Sequence, residues 1–359
     1  MLKDRIMLGL VKFAKGPGNV GVREVAKPAV SAPDQALLKI KACGVCATDL
    51  HVMDDTFRYW PPVVLGHEFS GEVIETGAEV ADFKPGDRVV AEPKTFVCGR
   101  CDVCKQGKTN LCVHRRAPGW GVDGGMTDYI AVPERLLHRI PDGVPYDVAA
   151  LCEPLAITVH EIDERCGVNA ADVVVINGAG PIGVLSAFLA KSAGASRVYM
   201  TGMARSEPVR FKAALALGVD GIINVEREDP VKRIMELTGG LGADLVVETS
   251  GSPAGIRRLA EMARICGRIT CIGLCPADEA AISWNTAMYR QLDIHFNFSS
   301  SYTAWGKALR LMASTPLDLR NAISHHETID NWERVFGDIR EERAVKAMFI
   351  PADEISAYR

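Results

Sequence analysis

The stretch DVVVINGAGPIGVLSAFLAKSAGA, residues 172–195, decides how the chain is read. It begins as a short apolar, β-branched run and continues with helical spacing, Pro181 standing in the first turn. Between the two halves Gly178, Gly180 and Gly183 form G-x-G-x-x-G, with Pro181 and Ile182 completing the turn. A glycine pattern alone is weak evidence. One that follows a strand and opens a helix has the context that dinucleotide binding requires. The first glycine makes the tight turn, the second lets backbone amides approach a pyrophosphate, and the third lets helix pack on strand.

Outward from this turn the same alternation continues. SRVYMTG, DGIINV, ADLVVETSG, GRITCIG and DIHFNF read as strands. Helix-like segments lie between them, including SEPVRFKAALALG, with Ser206 as N-cap and Gly218 as stop, and SPAGIRRLAEMARICG. Strands alternating with helices predict βαβ units and a doubly wound parallel sheet of Rossmann type, an α/β domain over 161–298. An acidic residue usually ends the second strand and takes the ribose 2′-hydroxyl of NAD. Here that strand ends YMTGMARSEPVR, with Gly202 near that place and Arg205 and Arg210 close behind. Arginine there can hold a 2′-phosphate and points to NADP. The other reading makes both arginines a solvated face, with Glu207 serving the ribose of NAD.

Before about residue 150 the texture changes. ALLKIKACGV, FSGEVIETG, DRVVAEP and TDYIAVPE are strand-like pieces separated by Gly/Pro turns, a turn-rich β domain. The tail offers a helix, SYTAWGKALRLMAS, and a strand, AVKAMFIP, that can return to close this domain. The 359 residues suit two domains, and 48% hydrophobic with 24% charged residues is ordinary for a globular protein. A formal net charge of −4 gives no attraction to nucleic acid or anionic membrane. The longest apolar region, near 173–190, is broken by NGAGPIG, and MLKDRIMLGLVKF is interrupted by Lys12, so neither a membrane span nor a signal peptide is expected. The expected setting is the cytoplasm, where eleven cysteines favour metal ligands plus inert core thiols over disulfides.

CGRCDVCKQGKTNLC places Cys98, Cys101, Cys104 and Cys112 within fifteen residues. Four thiolates at this spacing can wrap one tetrahedral Zn²⁺ as a closed, structural site. An iron–sulfur run of bacterial type wants a different fourth spacing followed by proline. A nucleic-acid zinc module would use the nearby Arg100, Lys105, Lys108, Arg115 and Arg116, but the acidic chain ranks that reading last. A second donor set is dispersed: Cys46 in CGVCATDLHV, His67 and Glu68 in GHE, and Glu153 in CEP. An open Zn²⁺ site takes about three N, S or O donors and leaves a position for water or substrate. Cys46, His67 and Glu153 would supply one of each, with Glu68 as alternative or exchanging ligand.

GVCATDLH, VLGHEFSGEV, the four-cysteine run, LCEPL and GAGPIG occur in an order that resembles the zinc-dependent medium-chain dehydrogenases/reductases, most closely the polyol (sorbitol-like) and threonine dehydrogenase branch. The resemblance spans essentially the whole chain. It implies a GroES-like β-rich catalytic domain, residues 1–160 and 299–359, around the Rossmann domain. It also implies two zinc ions per chain, homodimers or homotetramers joined through the Rossmann sheets, and no nucleic-acid or membrane partner. Cys46 and His67 match the family's zinc thiolate and imidazole, Glu153 the glutamate of the polyol branch, and Glu68 a carboxylate that binds zinc or sits behind it. Thr48 matches the relay hydroxyl and His51 the solvent-side proton acceptor, while Asp49 would orient the site. Cys43 and Cys152 fall outside the ligand positions and are expected to pack.

The chemistry expected is polarisation of an alcohol by zinc and hydride transfer to nicotinamide C4. The substrate would be a secondary alcohol of a polyol, sugar or amino-alcohol. The rival reading is a non-catalytic cofactor-binding protein of the same fold. One departure affects the substrate: sorbitol dehydrogenases carry an Arg-Tyr pair where this chain has Ser299, Ser300 and Tyr302. Phe57, Arg58, Tyr59 and Trp60 are placed near the pocket mouth or in the domain core.

Overall fold

Val174, Val175 and Ile176 are fully covered, as a strand with helices on both faces must be. In the computed structural model, which describes residues 6–277 and 279–358, their strand Val173–Asn177 lies inside a six-stranded sheet. The strand order is Gly221–Asn224, Arg197–Gly202, Val173–Asn177, Ala243–Glu248, Ala263–Cys271, Asp293–Phe296, and every pairing is parallel. This is the doubly wound Rossmann arrangement. Chain order reverses between Val173–Asn177 and Ala243–Glu248, which opens a crevice beyond their C-terminal ends.

Two local expectations fail. The helical reading of SPAGIRRLAEMARICG overruns: the helix is Pro253–Met262, and Ala263 already pairs with Ala243 in the sheet. Pairing in the sheet outweighs the helical pattern of the last four residues. Ser206 caps nothing. Its hydroxyl donates to Glu342 at 2.6 Å, and the segment Glu207–Phe211 starts the helix one residue wider per turn.

The other body is β-rich. A mixed sheet runs Ile323–Glu327, Lys346–Phe349, Gln35–Gly44, Glu68–Thr76, Arg88–Ala91, Leu137–Arg139, with Tyr129–Pro133 also on Gln35–Gly44. The small sheet of Val20–Ala26, Ile6–Lys12 and Val63–Val64 flanks it. The chain's last strand therefore closes the sheet begun by its first third. No helix among the described residues is long and apolar enough to cross a membrane.

Helix Tyr302–Ser314 carries the chain back across the join, packed on the helix Cys152–Thr158. Ser301 caps it, accepting from Ala304 N. Glu164 clamps its first turn, accepting from Ser301 Oγ at 2.6 Å and Thr303 Oγ1 at 2.7 Å, with His160 Nδ1 at 2.8 Å. Burial opposes the charge, but these hydrogen bonds outweigh it and hold the carboxyl at about 2. A carboxylate depressed in this way stabilises the fold above its unfolded value of 4.5 and loses that contribution as pH falls toward 2. Glu164→Gln is expected to lower the melting temperature at pH 7 by roughly 2–4 °C. Circular-dichroism melts should show that gap closing between about pH 4.5 and 2; a gap independent of pH would refute the clamp.

Candidate metal centre and cofactor crevice

The dispersed donors meet because of one strand register. Gln35–Gly44 and Glu68–Thr76 are antiparallel, with Gly44 opposite Glu68. Cys46 lies two residues beyond the end of the first strand, and His67 immediately precedes the second. Glu68 lays its carboxylate over Gly44, in the space that a Cβ there would take. Cys46 also opens the helix Ala47–Met53. Asp49, buried in that helix, accepts from Cys46 N at 2.9 Å and from Gly66 N at 3.1 Å, so one carboxylate pins both donor-bearing segments.

Single donor atoms of Cys46, His67 and Glu68 lie within 4.8 Å of one another. Glu153, in the first turn of the helix Cys152–Thr158, is buried but falls outside that tight group. Burial pushes its carboxyl up to about 7, with His67 the largest opposing influence. Burial would lower the His67 imidazolium, yet Cys46, Asp49 and Glu153 outweigh it and raise it to about 10. His67 Nδ1 is buried without a hydrogen-bond partner. A covered thiol–imidazole–carboxylate set that demands positive charge fits a divalent, borderline-soft cation such as Zn²⁺.

Lys346 escaped the sequence reading. It is 3% exposed, 2.7 Å from each Glu68 oxygen and 3.1 Å from Val45 O. Burial opposes its charge, but Glu68 and then Cys46 raise it above its ordinary value. The signal was present as one lysine inside the apolar run AVKAMFIP; what it faces depends on the pairing of Met348 with Gly44.

Thr48 Oγ1 is 3.6 Å from Cys46 Sγ. His51 is exposed on the same helix, its Nδ1 3.1 Å from Thr56 Oγ1. Cys43 and Cys152 are fully buried, and burial drives both thiols well above the usual range, so they pack rather than ligate. Phe57 and Trp60 pack on Trp120, whereas Tyr59 is a buried structural residue receiving Gly16 N. Ser300 is buried under Trp305, and Tyr302 is exposed at the helix start.

The four-cysteine run closes on itself. Its sulfurs approach at 4.0 Å (Cys98–Cys104), 4.0 Å (Cys101–Cys112) and 3.7 Å (Cys98–Cys112). Tetrahedral Zn–S bonds of about 2.3 Å place sulfurs roughly 3.8 Å apart, so the cage fits zinc with no position left open. Backbone N–H groups of Arg100 and Cys101 lower Cys98 to about 6, while burial and the neighbouring thiols push Cys104 up to about 12.

At the crevice, Gly178 has φ +118° and a Cβ there would strike Ser250 N at 2.8 Å. Gly183 packs directly on Gly178 O, whereas Gly180 faces open space ahead of the helix Pro181–Ser192. The turn so leaves open space at the helix N-terminus, of the kind a pyrophosphate would fit. Asn177 and Glu248 close its floor, Glu248 accepting from Ser250 N and Gly251 N at 2.7 Å each. The ribose end corrects one expectation. Arg210 is buried, and its donors are taken by Ala344 O at 3.0 Å and Glu342 at 3.0 Å. It serves the C-terminal segment and not a cofactor. Arg205 remains exposed, paired with Glu342 at 2.9 Å, and Glu207 is held by Arg227 and Asn224.

Comparison with known proteins matches residues 32–142 to the alcohol dehydrogenase GroES-like domain and 181–314 to the zinc-binding dehydrogenase domain. The chain is 35% identical to the sorbitol dehydrogenase of Halalkalibacterium halodurans, covering 97% of this chain and 100% of that one. It is 32% identical to the D-arabitol-phosphate dehydrogenase of Enterococcus avium, covering 96% and 97%. A structure from Sinorhizobium meliloti 1021 bound to NADP superposes with a TM-score of 0.88 at 31% identity, covering 96% of this chain and 99% of that one.

Lys346→Met leaves Glu68 buried without its partner and is expected to cost about 3–5 kcal/mol of unfolding free energy in urea titrations. Lys346→Arg should recover most of it. Equal stability of Lys346→Met and wild type would show the pair to be dispensable.

Proposed function

Because the chain belongs to the zinc-dependent medium-chain dehydrogenase/reductase family, in its polyol and threonine dehydrogenase branch, we propose that it transfers a hydride between a secondary alcohol of a polyol, sugar or amino-alcohol and NAD(P). That it is an oxidoreductase acting on CH–OH groups follows from the family. The single observation that carries the catalytic reading is the convergence of Cys46, His67 and Glu68 donors within 4.8 Å.

In this reading bound zinc supplies Lewis acidity toward an alcohol oxygen, and bound nicotinamide supplies the hydride acceptor. Cys46 and His67 hold the metal. Glu153, buried in the first turn of its helix, would be the third donor, with Glu68, held by Lys346, as the alternative one. Asp49 fixes the two donor segments through Cys46 N and Gly66 N. Thr48 Oγ1 would take up the alcohol proton while giving up its own, and His51, three residues on along the helix, would release a proton to solvent from the ring nitrogen that Thr56 leaves free. Gly178, Gly180, Pro181, Ile182 and Gly183 seat the pyrophosphate.

Cys98, Cys101, Cys104 and Cys112 hold a second, structural zinc. The coenzyme proposed is NADP, because Gly202 stands where an acidic residue would select NAD and exposed Arg205 stands beside it. The catalytic domain is assigned to 1–160 and 299–359 and the Rossmann domain to 161–298, in a reducing, cytoplasmic setting. Relatives named for a neutral polyol and for a polyol phosphate support that breadth of substrate.

A homodimer or homotetramer would form through the edge strand Asp293–Phe296, where Phe296 is 78% and Trp284 72% exposed beside a cavity of about 880 Å³ lined by Leu274, Met288 and Leu292. Light scattering of the purified chain should return two or four copies, and a monomer would refute that assembly. A panel of polyols, sugars and amino-alcohols, each run with NAD⁺ and NADP⁺ and read by nicotinamide absorbance, should find turnover with NADP⁺ preferred. Metal analysis should give two zinc per chain in wild type and one in Cys46→Ala or His67→Ala, whose turnover falls to background with the fold intact. Near wild-type turnover in those variants would remove the catalytic zinc from the proposal, and preference for NAD⁺ would remove the role of Arg205.

A further inference from the structure

Arg115 is 8% exposed, yet its guanidinium makes one side-chain hydrogen bond, donating from Nη1 to Ser299 Oγ at 2.7 Å, and otherwise lies over the Phe298 ring at 5.6 Å. Other covered arginines of this chain are matched by carboxylates: Arg210 by Glu342 at 3.0 Å and Arg268 by Asp172 at 2.5 Å. Among the described residues none forms such a pair with Arg115, although the charge of Glu153 reaches it. Positive charge accumulates around it instead. Arg58 lies 4.9 Å and Arg115 6.0 Å from the Trp120 ring, and Arg116 lies 4.3 Å from Trp60, which packs on Trp120. Neither Arg58 nor Arg116 is salt-bridged among the described residues; Arg58 donates to Val113 O at 3.2 Å.

The guanidinium is also held rigidly. Ser299 adopts φ +64°, a left-handed conformation rare for a residue with a Cβ. Such strain persists where the surroundings over-determine it, typically at functional sites. Here Ser300 anchors the next position, accepting from Trp305 Nε1 at 3.0 Å while its carbonyl accepts from Lys94 Nζ at 3.2 Å. Arg115 is therefore covered and held at Ser299, within reach of the charges of both buried Glu153 and exposed Arg58. A guanidinium has five donors in a planar fork matched to the oxygens of a carboxylate or phosphate.

We propose that Arg115 is a specificity-determining residue that binds a phosphate or carboxylate group carried by the alcohol substrate, with Arg58 adding charge at the mouth. The alcohol oxidised is then an acidic polyol, either a sugar-alcohol phosphate or an aldonate. This rests on the dehydrogenase reading above, so its test has an arm that does not need turnover.

The zinc-loaded enzyme would be assayed on three matched substrates: a neutral polyol, its terminal phosphate ester and its aldonate. Wild type should prefer one acidic form by about tenfold or more in kcat/KM, and which form wins identifies the group. Arg115→Gln should raise KM for that form about ten- to hundredfold, with the loss falling on KM more than on kcat. Arg115→Lys, which keeps the charge, should restore part of it. In parallel, titration with inorganic phosphate should quench the tryptophan fluorescence of wild type and not of Arg115→Gln. Phosphate binding that depends on Arg115, in an enzyme inert toward every alcohol, would overturn the dehydrogenase reading and leave the anion site standing. A preference for the neutral polyol, or an equal loss on all three substrates with phosphate quenching unchanged, would reduce Arg115 to a support for the 298–300 segment.

Discussion

The buried pair of Glu68 and Lys346, seated over Gly44, is the constraint on which the candidate centre depends. It joins three strands drawn from the first third and the last few residues of the chain. A one-residue slip between Gln35–Gly44 and Glu68–Thr76 would turn Glu68 to the other face of the sheet. His67 and Cys46 would then no longer converge. A buried ion pair of this kind contributes little net stability against an apolar replacement, because desolvation offsets the attraction. Its effect is specificity. It admits one register and makes the alternatives costly, since each would leave a charge covered and unmatched.

The two donor sets differ in how the chain assembles them. Cys98, Cys101, Cys104 and Cys112 come from one short loop, so the chain between them sets their distances with little help from the rest of the fold. Four like donors fill a tetrahedron and exclude a further ligand. Cys46, His67 and Glu68 come from the ends of two strands, with Glu153 brought by a helix from the domain join. Such a set can leave a position open, because no single loop forces the fourth donor inward. The price of that openness is an excess of buried negative charge, visible in the raised His67 and Glu153.

The glycine turn and the four-cysteine run were legible because their geometry is local: each is specified by residues within a few positions of one another. The parallel sheet was legible from alternation, but the boundary at Ala263 was not, since the helical pattern runs on to Cys266 while pairing with Ala243 claims those residues for a strand. Arg210 was misplaced for a related reason. Its position in the sequence is right for a ribose phosphate, yet the helix turns it toward Ile339–Ala344, whose carbonyls need its donors. Arg115 and Arg116 were noticed only as basic neighbours of the cysteines. Nothing local says that Ser299 will face Arg115 or that Trp60 will face Arg116.

The sequence by itself determined the Rossmann turn and the clustering of the four cysteines, because residue type and short spacing suffice to define a turn or a chelate, while Cys46, His67, Glu68 and Glu153 stood in it only as candidate donors. Tertiary structure alone decided that Glu68 answers to Lys346, that Glu153 stands apart from the tight donor group, and that Arg115 keeps an unmatched guanidinium beside it. Those outcomes depend on which strands pair and what each burial leaves unsatisfied, and they join residues separated by up to 278 positions. Distances of that kind are set by packing and electrostatics summed over the whole chain, and no short stretch encodes them.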